Sequence, residues 1–294
     1  MRHLTSIKNL EKDEILKITE LANLFENKKY KTNLVNKNVC LMFFENSTRT
    51  KFSFEMAINN LGFKVFNFET DKTSLSKGES ISDTIQNLSA IGINSCVIRS
   101  REAIIEDLIN SNSDMHFINA GEGQNSHPTQ ALLDFYTIKK YYDDLSDKKI
   151  VIVGDIKHSR VAKSNVELLS RFNANITLIC PNYFKDDSIK NVKYSENLNE
   201  ELKDADIVMG LRIQKERIEE NLNFEDYIKN FQITSKNINR NSLLMHPGPV
   251  NRNIEITSEL IDSSQGKTIL EQARNGVFVR MAVLDLVMGD RKWT

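Results

Sequence analysis

The chain has 294 residues, with 39 basic and 40 acidic side chains for a formal net charge of -1. That length exceeds what one simple core usually supports and favours two domains. The 40% apolar and 27% charged composition is that of a folded globular protein, and the charge balance excludes a whole-chain field that would gather nucleic acid or anionic membrane, so any anion site must be local.

The N-terminal stretch MRHLTSIKNLEKDE lacks the apolar core of a signal peptide, and no run approaches the ~18 consecutive apolar residues of a membrane span. A cytoplasmic protein is expected. Short apolar runs then alternate with helix-length amphipathic segments, the pattern of α/β architecture with parallel sheets. The first series has strand candidates at Asn38 to Phe44, Lys64 to Phe68, Ser95 to Arg99 and His116 to Asn119, closed by the loop-like NAGEGQNSHPTQ. A helix follows from about Pro128 to Tyr142, with proline where a first turn permits it. The polar YYDDLSDKK marks the domain boundary. The second series runs through KKIVIVGD, ANITLIC, DADIVMGL and NSLLMHPGP, and the terminal EQARNGVFVRMAVLDLV has helical periodicity. Cys40, Cys96 and Cys180 are odd in number, far apart and set in strand-like runs. They read as buried thiols of a reducing compartment. The expected fold is two doubly wound α/β domains, each a mostly parallel sheet flanked by helices. A long helix joins them, and a C-terminal helix, about 270–294, packs back on the first. The domains are expected at 1–145 and 146–269.

In open parallel sheets ligands collect beyond the carboxyl ends of the strands, and the loops there carry the conspicuous polar residues. Ser47-Thr48-Arg49-Thr50 opens a helical segment, where hydroxyls, an arginine and backbone N–H groups can hold a phosphate. Plain helix capping explains the same residues equally well. Arg99 ends the third strand and His127-Pro128-Thr129-Gln130 starts the long helix. Taken singly, the first reads as a surface arginine and the histidine as structural. In the second series Arg160 follows the Gly154-Asp155 turn and Arg212 follows another strand. Two guanidinium groups on separate loops can clamp a dicarboxylate, or be surface charges. His246-Pro247-Gly248-Pro249 is a rigid turn, with plain punctuation as its bland reading. The Gly154 turn has one glycine and lacks the G-x-G-x-x-G spacing of a dinucleotide site.

Together, FFENSTRTKFSFE, TSLSKGES, HPTQALLD, GDIKHSRVAKSN, LRIQKER and MHPGPVNR resemble the aspartate/ornithine carbamoyltransferase family, from the first strand nearly to the C-terminus. The resemblance implies carbamoyl phosphate as one substrate, held by Ser47, Thr48, Arg49, Thr50, Arg99, His127, Gln130, Gly248 and Pro249. The ornithine members carry His-Cys-Leu-Pro where this chain has His246-Pro247-Gly248-Pro249, and Ser-Met-Gly where it has LRIQKER. Both departures imply L-aspartate as acceptor, with Arg160, Arg212, Gln214 and Lys77 around it. Arg49, Thr50, Lys77, Arg99 and His127 are the implied catalytic groups. The loop with Ser74 and Lys77 is implied to come from a neighbouring subunit of a homotrimer, and a regulatory chain is left open. The histidines and cysteines show no metal-ligand spacing. No metal or other cofactor is expected.

Overall fold

The computed structural model describes residues 2–69, 79–111, 114–123, 126–214 and 224–289. Contacts divide the chain into two units, Met1–Leu133 together with Asn275–Thr294, and Asp134–Arg274.

In the first unit, α1 (Lys12–Glu26) starts with a reciprocal capping box between Glu11 and Glu14. It buries Ile15, Ile18, Ala22 and Phe25 at helical spacing. Then follow β1 (Asn38–Phe43), α2 (Thr48–Asn60), β2 (Lys64–Phe68), α3 (Ile81–Ala90), β3 (Ser95–Ser100), α4 (Ile105–Ser111) and β4 (His116–Glu122). The four strands are parallel in the order β2-β1-β3-β4. Successive side chains of a strand point to opposite faces, and Val39, Cys40, Leu41 and Met42 of β1 are all buried. Both faces of the sheet are therefore covered at β1, which is why this strand reads as a continuous apolar run, whereas the edge strand β2 leaves Phe66 exposed. One face packs Cys40, Met42, Cys96, Ile98 and Phe117 against Ile85 of α3 and Ile105 of α4. Each such fully buried apolar side chain stabilises the fold by about 1.5–3 kcal/mol.

The chain passes into the second unit within α5 (Pro128–Lys139), which is followed by β5 (Lys149–Val153), α6 (Arg160–Ser170), β6 (Asn175–Ile179), β7 (Lys193–Ser195), α7 (Leu198–Leu202), β8 (Ile207–Gly210), α8 (Phe224–Phe231), β9 (Leu243–Met245) and α9 (Ser258–Asp262). This sheet is also parallel throughout, in the order β7-β6-β5-β8-β9. The chain returns to the first unit within α10 (Lys267–Met288). There Arg280 donates to Ser53 Oγ at 2.8 Å and lies over the Phe54 ring, while Tyr30 donates to Asp285 at 3.1 Å.

The α/β class, the parallel sheets and the C-terminal helix agree with the sequence reading. The expected helix to Tyr142 stops at Lys139, because Tyr141 and Tyr142 both donate their N–H groups to Ile138 O in a closing turn. All three cysteines are buried and free.

Leu4 adds a further backbone pairing at the β4 edge, donating to Phe117 O at 2.9 Å and accepting from Asn119 N at 2.8 Å. The His3 ring stacks on Phe117 and its Nδ1 accepts from Phe117 N at 3.2 Å. Burial, with Arg2 and His116 nearby, holds its pKa down from 6.5 to about 4. Its folded pKa is depressed, so its stabilising contribution is complete above about 6.5 and is lost as pH falls through about 4. Amide exchange at Leu4 and Asn119, corrected for intrinsic rates, is expected to accelerate over that window and to lose this dependence in His3→Asn.

Gly154 directly follows β5 at φ +134°, and a Cβ there would stand 2.8 Å from the Leu211 carbonyl oxygen. A side chain meets both backbone strain and backbone atoms. Gly154→Ala is expected to lower stability by roughly 1–3 kcal/mol in urea unfolding. An unchanged midpoint would contradict so close an approach of the two loops.

Candidate active site

In the first sheet the chain leaves β1 toward β2 on one side and later fills β3 and β4 on the other, so the connections change direction between β1 and β3. In the second sheet the change falls between β5 and β8. Such switch points open a crevice at the carboxyl ends of the strands. Among the described residues singled out in the sequence, Arg99 lies at the end of β3 and the others lie in the loops or first helical turns that follow β1, β4, β5, β8 and β9.

After β1, Ser47 stands at the N-cap of α2 with extended backbone and makes no side-chain capping bond. Ser80, Ser159 and Asn197, in contrast, cap their helices in the ordinary way. The capping reading of the Ser47 segment is thus not realised. No acidic residue lies in the first turn of α2, so its positive end keeps its attraction for an anion. Thr50 is buried; Thr48 and Arg49 are exposed.

At the end of β3, Arg99 is fixed from two directions. Its Nη1 donates to Ala120 O at 3.2 Å and its Nε lies 3.4 Å from Glu45 Oε2. Arg101, almost fully exposed, approaches the same carboxylate at 3.8 Å. Glu45 therefore orients Arg99, a role the sequence reading did not give it. His127 is buried immediately before α5, and its carbonyl accepts from Gln130 and Ala131. Gln130 is buried on the first turn of the same helix.

The second unit has a matching construction. Asp155 is fully buried and accepts from His158 through the backbone N–H at 3.1 Å and ring Nδ1 at 2.9 Å. Burial raises its carboxyl pKa, and the His158 contacts oppose that shift. Ser159 then caps α6 by accepting from Ala162 N at 3.1 Å, and Arg160 is buried as the first helical residue. A cation at the positive end of a helix is electrostatically unfavourable, and a bound carboxylate would offset it. After β8, Leu211 N donates to Val153 O at 2.7 Å. Gln214 Nε2 donates to His158 O at 2.8 Å, which ties the loops bearing Arg160 and Arg212 together.

After β9, His246 Nδ1 accepts from Gly248 N at 2.8 Å, and Gly248 takes φ +72°, which glycine accommodates without strain. His246 N donates to Gln272 Oε1 at 2.9 Å, and Gln272 Nε2 donates to the buried Asp134 at 2.6 Å. Asn165 occupies the other Asp134 oxygen at 2.7 Å. The sequence reading missed Gln272 and Asp134, whose partners lie far away along the chain. Ser74 and Lys77 fall outside the described residues. Among the described residues no group of three or more His, Cys, Asp or Glu side chains forms a metal cluster, and no helix is long and apolar enough to cross a membrane.

Residues 2–140 match the family model described as the aspartate/ornithine carbamoyltransferase carbamoyl-P binding domain, and residues 146–287 match the Asp/Orn binding domain. The chain is 42% identical over 290 residues to an aspartate carbamoyltransferase catalytic subunit of Campylobacter jejuni, covering 97% of each chain. It is 40% identical over 294 residues to that of Sulfurimonas denitrificans, covering 99% of this chain and all of the other. Among solved structures, aspartate transcarbamoylase from Trypanosoma cruzi with carbamoyl aspartate and phosphate superposes with a TM-score of 0.89 at 27% identity, covering 98% and 96% of the two chains. The M. jannaschii catalytic subunit gives 0.85 at 34% identity with full coverage of both. The chain belongs to the aspartate/ornithine carbamoyltransferase family and is an enzyme of carbamoyl transfer.

Proposed function

We propose that the enzyme transfers the carbamoyl group of carbamoyl phosphate to the amine of L-aspartate, giving N-carbamoyl-L-aspartate and phosphate for pyrimidine synthesis. The observation that carries the choice of acceptor is the pair Arg160 and Arg212, on loops joined by the Gln214 to His158 hydrogen bond. Two guanidinium groups match two carboxylates; ornithine, with one carboxylate and a second amine, needs no such pair. The names of the similar proteins point the same way.

In this reading residues 1–145, with the C-terminal helix, form the carbamoyl phosphate domain and 146–269 the aspartate domain. Ser47, Thr48, Arg49 and Thr50 receive the phosphate at the start of α2. Thr50, Arg99 and His127 surround the carbonyl oxygen, while Gln130 and the backbone at Gly248 and Pro249 meet the carbamoyl amide. Arg160, Arg212 and Gln214 bind aspartate. Ser74 and Lys77 reach in from a neighbouring subunit, which makes the active form a homotrimer.

The aspartate amine attacks the carbamoyl carbon directly. The tetrahedral intermediate collapses by breaking the carbon to phosphate-oxygen bond, and the amine proton leaves with the phosphate. Charge that grows on the carbonyl oxygen meets donors already in place, each contributing about 3 kcal/mol to lowering the barrier. Arg99 suits this role because Glu45 and Ala120 O fix its guanidinium before any substrate arrives. Two anions that repel one another are brought together by the cations, which explains why Arg49, Lys77, Arg99, Arg160 and Arg212 all belong to one proposed site.

The purified enzyme is expected to release phosphate and form product from carbamoyl phosphate with L-aspartate and not with L-ornithine, offered in parallel. Turnover with ornithine would overturn the roles of Arg160 and Arg212. Arg212→Ala is expected to raise the aspartate KM roughly tenfold to a hundredfold, the range of a lost charge-assisted hydrogen bond. It should also lower kcat through misorientation, while carbamoyl phosphate affinity changes by less than about twofold. Equal loss of both affinities would refute the division of labour.

A further inference from the structure

We infer that Glu255, assisted by Asn251, is a positioning residue for the acceptor end of the site, setting the directions of Arg212 and Gln214. The inference rests on the reading of those two side chains as contacts of the acceptor dicarboxylate. Its physical basis is the loop that follows β8. Residues 211–214 continue beyond the strand without helical bonding, and the Ile213 side chain is fully buried. Along it burial alternates, with Leu211 and Ile213 buried and Arg212 and Gln214 partly exposed, as neighbouring side chains that point to opposite sides do. A residue locked inward at 213 therefore sends both 212 and 214 outward.

The lock is the Glu255 carboxylate, itself buried. Its Oε1 accepts the Ile213 backbone N–H at 2.9 Å and Asn251 Nδ2 at 2.6 Å, while Oε2 accepts the Asn251 backbone N–H at 2.6 Å. Asn251 Nδ2 also donates to Ile213 O at 3.3 Å, so both backbone polar groups of Ile213 are held by the same pair of residues. Glu255 is held in turn, since Ile233 N donates to Glu255 O at 2.8 Å and the neighbouring Ile256 bridges Ile233. Every group that meets the carboxylate is a donor. Only an acceptor at both oxygens satisfies them, and a neutral amide would set an NH2 group against an N–H.

The position also separates function from bulk stability. Glu255 lies in the segment after β9, far in sequence from the loop it holds, and it bonds the backbone of the residue between the two side chains assigned to the acceptor. With Leu211 N anchored on Val153 O and Gln214 Nε2 on His158 O, the segment is fixed at its start, middle and end. Loosening the middle lets Arg212 and Gln214 turn while β8 stays paired with β5.

The test compares Glu255→Gln, Glu255→Asp and Asn251→Ala with the unaltered enzyme, after urea unfolding has shown which variants fold. Measured are the aspartate KM and kcat, the inhibition constant of succinate, a dicarboxylate without the amine, and the dissociation constant of carbamoyl phosphate by calorimetry. In Glu255→Gln the aspartate KM and the succinate constant are expected to rise together, roughly tenfold to a hundredfold. Carbamoyl phosphate binding should stay within about twofold, and Asn251→Ala should shift the same constants in the same direction by less. An unchanged aspartate KM in a folded variant, or equal loss of both ligands, overturns the assignment. Should Glu255→Gln fail to fold, Asn251→Ala decides by the same criteria. Absence of aspartate turnover by the unaltered enzyme would instead sink the functional reading on which the inference rests.

Discussion

The pairing of β5 with β8 is the interaction on which the acceptor half of the proposed site depends. It is the point where the second sheet changes direction, and the two strands run parallel in register from Ile150 with Ile207 to Val153 with Gly210. Because both strands end together, their loops emerge side by side, and Leu211 N reaches back to Val153 O. Such closeness needs a residue without a side chain at 154. The single glycine of this turn thus serves loop-to-loop contact. A pyrophosphate site would need further glycines at fixed spacing.

Behind the cationic loops stand carboxylates. Asp155 gathers the His158 backbone and ring, and Glu255 gathers Ile213 and Asn251. Burial raises the pKa of both, and several donors to each carboxylate act in the opposite direction, favouring the charged form. In the first unit Glu45 does comparable work for Arg99. A guanidinium held this way loses little side-chain freedom on meeting a substrate, and preorganisation of this kind makes electrostatic stabilisation effective.

Much of this architecture was legible in the sequence because it is written locally. Apolar runs of four to six residues, each followed by a polar loop, place the strands, and the loops with arginine, histidine and hydroxyl groups turn out to follow strand after strand. What stayed hidden is short or distant. The strand Lys193–Ser195 has three residues with no apolar alternation, and Leu4 joins the β4 edge through two hydrogen bonds that leave no pattern. Ser47 was ambiguous because a cap and an anion ligand use the same hydroxyl; the fold shows that it makes no capping bond, and its contact with an anion belongs to the proposed function. Glu255 and Gln272 could not be found by spacing, since each acts on a residue 26 or 42 positions away.

The electrostatic logic connects these hidden residues to the visible ones. Arg160 is buried at the first position of α6, where the helix dipole opposes its charge. The turn before it holds two other polar groups, the buried Asp155 carboxylate, which accepts from His158, and Ser159, which accepts from Ala162 N. Arg160 and Arg212 thus follow the carboxyl ends of β5 and β8, while Asp155 and Glu255 are engaged with donors of their own. In the proposed function an incoming dianion meets the arginines without displacing the donors already bound to those carboxylates. A near-neutral net charge is compatible with the cationic site proposed, because Asp155 and Glu255 are buried as acceptors of His158, Ile213 and Asn251.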